Sequence, residues 1–155
     1  MEKRELSIAL REMARVQKAP LCDEWYGEWA DDTDVDSLLE KYVRGFDFAV
    51  KNDYPPLDFI RRHFSADDLH RHNIYLDENT AISEAHSGFY VFLGKCKCSI
   101  VVDGFKAVTV YVRHESDVDV SAINGAKVFV TYYDHSSGEC SSDKWSKARR
   151  YDRGV

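Results

Sequence analysis

Apolar residues alternate with polar ones over the second half of the chain, and they recur in clusters about ten residues apart. The members of these clusters all have even numbers: Tyr90, Phe92, Cys98, Ile100, Val102, Val108, Val110, Val112, Val118, Val120, Ala122, Val128, Val130 and Tyr132. Period-two alternation indicates strands with one buried face. A shift of 20 residues also overlays VTVYVRHES at 108–116 on VFVTYYDHS at 128–136. Similarity at a fixed period indicates stacked repeats.

Two architectures fit this ladder, and register separates them. The Asp-Gly pair at 103–104 and the Asn-Gly pair at 124–125 are typical of two-residue hairpin turns, which would give an antiparallel β-meander packed on helices. A hairpin at 124–125 would place Val128 on the face opposite Val118, because residues that flank such a turn pair and share a face. A β-solenoid with about 20 residues and two strands per coil keeps all even-numbered residues inside. We therefore predict a short β-solenoid over residues 88–140, with the meander as the alternative.

The first half of the chain follows the 3.6-residue period of amphipathic helices. One helix is predicted over residues 4–18 and a longer one over 34–52. The residues of the longer helix that we expect to face the core are Leu38, Leu39, Tyr42, Val43, Phe46 and Val50. Ser65 is followed three residues later by Asp68, which resembles a capping box at the start of a short helix.

These patterns predict an α+β protein with three parts. Residues 1–87 form a helical N-terminal part that ends in a polar linker at 77–87, residues 88–140 form the β-ladder, and residues 141–155 form a basic tail. A solenoid of fewer than three full coils is marginal as a repeat array, so we expect the helices to cap it. The three parts are then expected to behave as one cooperative unit.

Charge and cysteine content bear on the compartment. The chain has 155 residues with 21 bases and 27 acids, a net charge of −6. The N-terminus lacks the apolar core of a signal peptide, and no apolar run approaches the ~20 residues that span a bilayer. Four cysteines without an export signal are typical of reduced thiols in the cytosol. We therefore expect a cytoplasmic protein with no membrane contact.

Two segments resemble a loose group of uncharacterised bacterial proteins that are associated with mobile elements or prophages. The segments are FIRRHFSADDLHRHNIYLDE at 59–78 and VYVRHESDVDV at 110–120. Members of this group join a helical N-terminal part to a Val-rich β-ladder. The resemblance covers about residues 57–136 and includes no catalytic motif. It implies a fold arrangement and a bacterial source but no activity, so no functional residue is carried over.

The repeat brings two acid–base segments together. His114-Glu115 and Asp134-His135 lie 20 residues apart, so a solenoid would stack them about 5 Å apart at one corner. Such a set could bind a metal or perform acid–base chemistry, which makes these four residues the candidate catalytic residues. The alternative is a ladder of polar corner residues. We favour this ladder because the chain has no nucleophile elbow, Gly-rich phosphate loop or H-E-x-x-H motif.

The cysteines predict core positions instead of a metal site. Cys96 and Cys98 share one face of a predicted strand, but the second close pair that is typical of structural zinc sites is missing. Cys98 and Cys140 occupy ladder positions that are otherwise filled by valine. We therefore expect buried thiols, no disulfide, no metal and no cofactor.

The tail is the strongest basic segment. Residues 144–153 contain five bases and one acid, interleaved with Trp145 and Tyr151. Cations with aromatic rings can bind single-stranded nucleic acid, but the net charge of −6 opposes binding to a polyanion. We expect a non-catalytic interaction or assembly protein that binds a protein partner or a second copy. A metal-dependent or acid–base enzyme and a single-stranded nucleic-acid binding protein are the alternatives.

Overall fold

The computed structural model describes residues 35–44, 46, 50 and 56–153. The chain forms two compact units, Met1–His72 and Asn73–Val155. The predicted helix at 4–18 lies outside the described residues. That the two units fold cooperatively stays a prediction.

The described part of the first unit is helical. It contains α1 (Val35–Arg44), α2 (Leu57–His63) and α3 (Ala66–His70), and residues 46 and 50 are helical as well. The predicted core positions Leu39, Tyr42 and Phe46 are buried, which confirms them, whereas Val43 and Val50 are only partly buried. The side chain of Leu38 lies outside the described residues. Among the described residues, no helix is long and apolar enough to cross a membrane.

The predicted capping box at the start of α3 is confirmed. The Ser65 hydroxyl accepts a hydrogen bond from the Asp68 N–H at 3.1 Å, and the Asp68 carboxylate accepts one from the Ser65 N–H at 3.3 Å. Asp36 in the first turn of α1 contacts the Arg71 guanidinium at 3.0 Å and the His72 ring at 2.9 Å. The bonds from His72 and Arg71 lower the pKa of Asp36. These contacts join α1 to the chain that follows α3.

The second unit is a β-solenoid of about four coils. Its strands are β1 (Ile74–Leu76), β2 (Asn79–Ile82), β3 (Gly88–Leu93), β4 (Lys97–Asp103), β5 (Ala107–Val112), β6 (Asp117–Ile123), β7 (Lys127–Tyr133), β8 (Cys140–Ser142) and β9 (Lys147–Arg153). The odd-numbered strands form a parallel five-stranded sheet, and the even-numbered strands form a parallel four-stranded sheet. Each coil thus contributes one strand to each sheet.

The register confirms the predicted solenoid of about 20 residues per coil. Val108 pairs with Val128 and Val110 pairs with Val130, both in parallel. The alternative of an antiparallel meander is therefore wrong. The Asp-Gly and Asn-Gly pairs form corners between the two sheets instead of hairpins, since Gly104, Asn124 and Gly125 all have positive φ angles and the chain continues into the opposite sheet.

The even-numbered ladder forms the interior of the solenoid. Buried side chains of both sheets meet there, and the largest of them are Tyr132, Phe92, Ile100, Val102, Val108, Val110 and Val112. Burial of a valine or isoleucine side chain contributes about 1.5–3 kcal/mol. The repeated ladder therefore provides a continuous apolar core although each strand is short.

The solenoid extends beyond the predicted ladder of 88–140 in both directions. The segment predicted as a polar linker, 77–87, contains β2, and the predicted tail contains β9. Strand β2 pairs with β4, and β9 pairs with β7 over seven residues. Strand β2 has only four residues, two of them polar, and β9 is mostly charged. Neither strand shows a clear alternation of apolar and polar residues, and both are defined by backbone pairing with a neighbouring strand.

Charged residues occupy the inward positions of the last described strand. Arg150 takes the position that Val110 and Val130 have in earlier coils, and Asp152 takes the position of Val112 and Tyr132. The Arg150 guanidinium lies 4.5 Å from the centroid of the Tyr132 ring, contacts Asp152 at 3.0 Å and donates to the Gly138 carbonyl. A polar outer coil of this kind is typical of the ends of repeat proteins.

Candidate functional site

The candidate acid–base residues lie at the first corner of the coils, where the chain passes from the larger sheet to the smaller one. We define the first corner as residues 94–96, 113–116 and 134–136. Each segment contains a residue with positive φ, namely Gly94 at 73°, His114 at 61° and Asp134 at 56°. Outside glycine, this conformation is tolerated best by Asn, Asp and His. The backbone geometry thus explains why His and Asp occur here.

His114 and Asp134 are brought together, as predicted for a solenoid. The Asp134 carboxylate accepts a hydrogen bond from the backbone N–H of His114 at 3.1 Å. The Nδ1 atom of the His114 ring accepts one from the backbone N–H of Gly94 at 3.0 Å. Each side chain therefore binds the backbone of the preceding coil. The Nδ1 lone pair and one carboxylate oxygen are used by the fold itself.

An ion pair supports this corner from inside. Arg113 is 5% exposed, and its Nε atom contacts the Asp134 carboxylate at 3.0 Å. Burial alone would raise the pKa of Asp134, but the hydrogen bonds from Arg113 and from the His114 N–H hold it below its usual value. Asp134 is thus an ionised acceptor and the counterion of a buried guanidinium, not a proton donor near neutral pH.

The other two candidates are directed elsewhere. Glu115 is exposed and forms an ion pair with Lys95 at 3.5 Å. His135 is exposed, and its backbone N–H donates a hydrogen bond to the His114 carbonyl of the preceding coil at 3.1 Å. Within the described residues, no three His, Cys, Asp or Glu side chains are placed to hold a metal ion. The corner thus joins coils through hydrogen bonds to the backbone.

Two serines complete the corner, and sequence reasoning missed their role. The Ser116 hydroxyl is buried, accepts from the Cys96 N–H at 3.1 Å and donates to the Gly94 carbonyl at 3.0 Å. The equivalent Ser136 donates to the Val112 carbonyl at 3.0 Å. Their spacing of 20 residues, two positions after His114 and Asp134, was the available signal.

The thiols of Cys96 and Cys98 lie in the interior, as expected, whereas Cys140 is only partly buried. Cys96 and Cys98 are buried, and their sulfur atoms donate to main-chain carbonyls, including that of Leu93 at 3.3 Å and that of Glu78 at 3.2 Å. Burial raises the pKa of Cys98 to about 11. A thiol with such a pKa is protonated at neutral pH and is a poor nucleophile. Cys22 lies outside the described residues.

The outer surfaces of the two sheets carry opposite charge. The smaller sheet presents three exposed acids, Asp103, Asp117 and Asp119, and one base, Lys97, and the exposed Glu139 comes directly before β8; we call this the acidic face. On the larger sheet, the exposed outward residues of β7 and β9 are Lys127, Phe129, Lys147, Arg149, Tyr151 and Arg153 together with the half-buried Thr131. We call this the basic–aromatic face. No acidic residue occupies an outward position of β7 or β9.

The second corner extends the basic–aromatic face. It comprises residues 104–106, 124–126 and 143–146, directly before β5, β7 and β9. Phe105 is 95% exposed and Trp145 is 69% exposed. The Phe105 ring lies against Gly125, where a Cβ atom would come within 2.8 Å of it. The Lys144 ammonium lies 4.7 Å from the centroid of the Trp145 ring.

No family model, curated protein or solved structure matches this chain.

Proposed function

We propose that this chain is a non-catalytic interaction protein that binds a macromolecular partner through the basic–aromatic face. One observation carries the proposal. The five exposed large hydrophobic residues in the described part of the chain are all aromatic. Phe129 and Tyr151 belong to the basic–aromatic face, and Phe105 and Trp145 belong to the adjacent corner. Exposed apolar residues that cluster and are rimmed by polar groups are typical of interaction sites.

The arrangement of charge supports the same proposal. Lys127 and Lys147 are direct neighbours on adjacent strands, about 4.8 Å apart in the backbone. Neighbouring like charges destabilise a sheet. Within the described residues, no ion pair involves Lys127, Lys147, Arg149 or Arg153. An acidic partner would relieve the repulsion between these cations. Arrangements that lower the stability of the fold, such as neighbouring like charges, are expected at functional sites.

An enzyme at the first corner is not proposed. His114 and Asp134 use polar atoms to bind the backbone of neighbouring coils, and Glu115 is paired with Lys95. Acid–base catalysis needs groups that converge on one reacting atom. The contacts at this corner favour a role in holding the coils together.

Three further expectations belong to this proposal. The helices of the first unit are proposed to cap the solenoid, because the ends of repeat arrays need cover. A cytoplasmic location is proposed from the free, buried thiols of Cys96 and Cys98, and a bacterial, mobile-element source from the resemblance of residues 57–136.

Ion-exchange chromatography tests the proposal. The sequence pI is about 5.5, so a protein with evenly spread charge would pass through a heparin or sulfonate column at pH 7.5. We expect retention at low ionic strength, because the basic charge is confined to one face. The double variant Lys147→Gln/Arg149→Gln should elute earlier, while Lys97→Gln on the acidic face should elute like the wild type. Passage of the wild type through the column, together with a monomeric state at every salt concentration, would reject the proposal.

A further inference from the structure

We infer that the partner of the basic–aromatic face is single-stranded nucleic acid, with the phosphates on the cations and the bases on the aromatic rings. The inference rests on the proposed function and deepens it. Four cations and two exposed rings share this face, and two more rings lie at the adjacent corner. This combination of a positive surface with stacking platforms is how proteins bind single strands without strong sequence preference.

The register places cations and rings side by side. Phe129 of β7 is paired with Arg149 of β9, and Thr131 is paired with Tyr151. Outward residues along a strand are about 6.6 Å apart, since the rise is about 3.3 Å per residue. A chain that crosses from β7 to β9 therefore meets a ring beside a cation at Phe129 and Arg149, with a pair of lysines in the row before and the Tyr151 ring in the row after. Lys127, Phe129, Lys147 and Arg149 also line an open depression of about 270 Å³.

Within the second unit, the segregation of charge weakens the objection raised by the net charge of −6. Exposed charges more than about 10 Å apart are largely screened at 0.1 M salt. The acids of the second unit's acidic face lie on the other sheet, with the apolar interior between the two sheets. Sheets pack about 10 Å apart. A bound phosphate on β7 and β9 is thus governed mainly by the local cations.

The aromatic rings favour nucleic acid over a second copy of this chain. The acidic face of a second copy would match the cations, but its apolar outward residues, Val101 and Ile123, are already half-buried in the sheet. It therefore offers little flat apolar surface to Phe129 and Tyr151, which are each 41% exposed. Unpaired bases supply both the flat surface and the adjacent negative charge.

The test is fluorescence anisotropy with a labelled deoxythymidine oligonucleotide of about 16 nucleotides, the upper end of single-fold site sizes. The log of the binding constant should fall with log salt with a slope of about −3, because each neutralised phosphate contributes about −0.7 for single strands. Lys147→Gln should weaken binding and reduce this slope by about 0.7. Lys97→Gln, an exposed lysine at the start of β4, is the matched control and should change neither quantity.

A second pair of variants tests stacking separately from charge. Phe129→Ala should weaken binding about tenfold, the usual effect of losing one stacked base, without changing the salt slope. Phe89→Ala is the matched control, since Phe89 is 45% exposed on the same sheet but lies on β3. Strand β5 separates β3 from the basic–aromatic face on β7 and β9. It should bind like the wild type. Circular dichroism melts of all four variants verify that each one is folded.

The outcomes separate this inference from the proposed function. Equal or tighter binding of a duplex of the same length, or equal effects of Phe129→Ala and Phe89→Ala, would overturn single-strand stacking. Retention on the charged column without binding of the oligonucleotide would also overturn it, as would salt-sensitive self-association that the oligonucleotide does not displace. In these cases the interaction proposal stands. If the protein is neither retained on the charged column nor bound by the oligonucleotide, both this inference and the proposed function are rejected.

Discussion

At some positions the backbone conformation restricts which residue the chain can carry, and the alternation of apolar and polar residues does not reveal this restriction. Gly138 has a φ of +153°, and a Cβ atom there would lie 1.8 Å from the Val118 carbonyl oxygen and 2.7 Å from the Tyr132 hydroxyl. That hydroxyl donates to the same carbonyl at 2.7 Å. The position therefore requires glycine both for its conformation and for the space that the neighbouring strand occupies.

We predict that Gly138→Ala destabilises the protein more than Gly88→Ala does. Gly88 has a φ of +130°, but nothing lies within 4 Å of its Cβ position. Both variants carry the backbone strain of about 1–3 kcal/mol, and only Gly138→Ala adds a steric clash, which costs about 1–3 kcal/mol more. Urea unfolding of the two variants measures the difference. Equal free energies of unfolding would contradict the close approach of residue 138 to β6.

The ion pair between Arg113 and Asp134 gives a prediction of pH dependence. Asp134→Asn should lower the free energy of unfolding at pH 7, because it removes the ion pair between Asp134 and the buried Arg113. Losses of this kind are about 3–5 kcal/mol, and we expect the lower end because the Asp134 side chain is 23% exposed. Asparagine tolerates the positive φ of this position, so the variant tests charge and not conformation.

The sign of the pH effect follows from the lowered pKa of Asp134. A carboxyl with a lower pKa in the folded state stabilises the protein above its unfolded-state pKa of about 3.9, and this contribution is lost as the pH falls through the folded-state pKa. The difference between wild type and Asp134→Asn should therefore shrink below about pH 4. A difference that stays constant from pH 7 to pH 3 would show that the carboxylate charge is not responsible.

At the scale of the element, the first corner is held by hydrogen bonds from side chains to backbone. We predict that Ser116→Ala costs about 1–3 kcal/mol, because it leaves the buried Cys96 N–H and the Gly94 carbonyl without this partner. Ser141→Ala is the control, since the Ser141 hydroxyl is exposed and pairs with that of Ser121. It should change stability by less than about 0.5 kcal/mol. Thermal melts that shift equally for both variants would contradict the role of Ser116.

The strands could be predicted from the sequence where the ladder is apolar, and were missed where it is not. The ladder identifies the interior and the coil length through Val108 and Val110, which recur 20 residues later as Val128 and Val130. Only coils of constant length keep all these valines at even-numbered positions. In β9 the same inward positions hold Ala148 and Arg150, and the next one holds Asp152, so the alternation of apolar and polar residues gives no clear signal there.

The candidate site could be predicted only in part. The spacing of His114 and Asp134 correctly placed them at one corner. Their partners could not be predicted, because the acceptors and donors are backbone groups of other coils. The basic–aromatic face was hidden for a similar reason. Lys127 and Lys147 are 20 residues apart in sequence but adjacent in the sheet, and the sequence alone predicts a basic tail where β9 lies.

At the scale of the whole molecule, the charged last strand limits further β pairing. Among the described residues, β9 is one of the two edge strands of the larger sheet, opposite β1. Charged residues on an edge, especially at inward positions, oppose the addition of another strand. Arg150 and Asp152 fill this role, and Arg150 also covers the Tyr132 ring.

We predict that Arg150→Val/Asp152→Val causes association that persists at high salt, because it continues the apolar ladder to an open edge. Light scattering coupled to size-exclusion chromatography measures the mass. The control is Arg149→Val, which changes the same strand at an outward position and should leave the protein monomeric in high salt. A monomeric double variant would show that Arg150 and Asp152 do not protect this edge.

The parallel stacking of coils with a period of about 20 residues is the claim on which the corner, the two faces and the end strand all depend. Methyl NMR with labelled valines tests it most directly. We expect nuclear Overhauser contacts between Val108 and Val128 and between Val110 and Val130. Contacts that instead run antiparallel across residues 103–104 and 124–125 would contradict the solenoid.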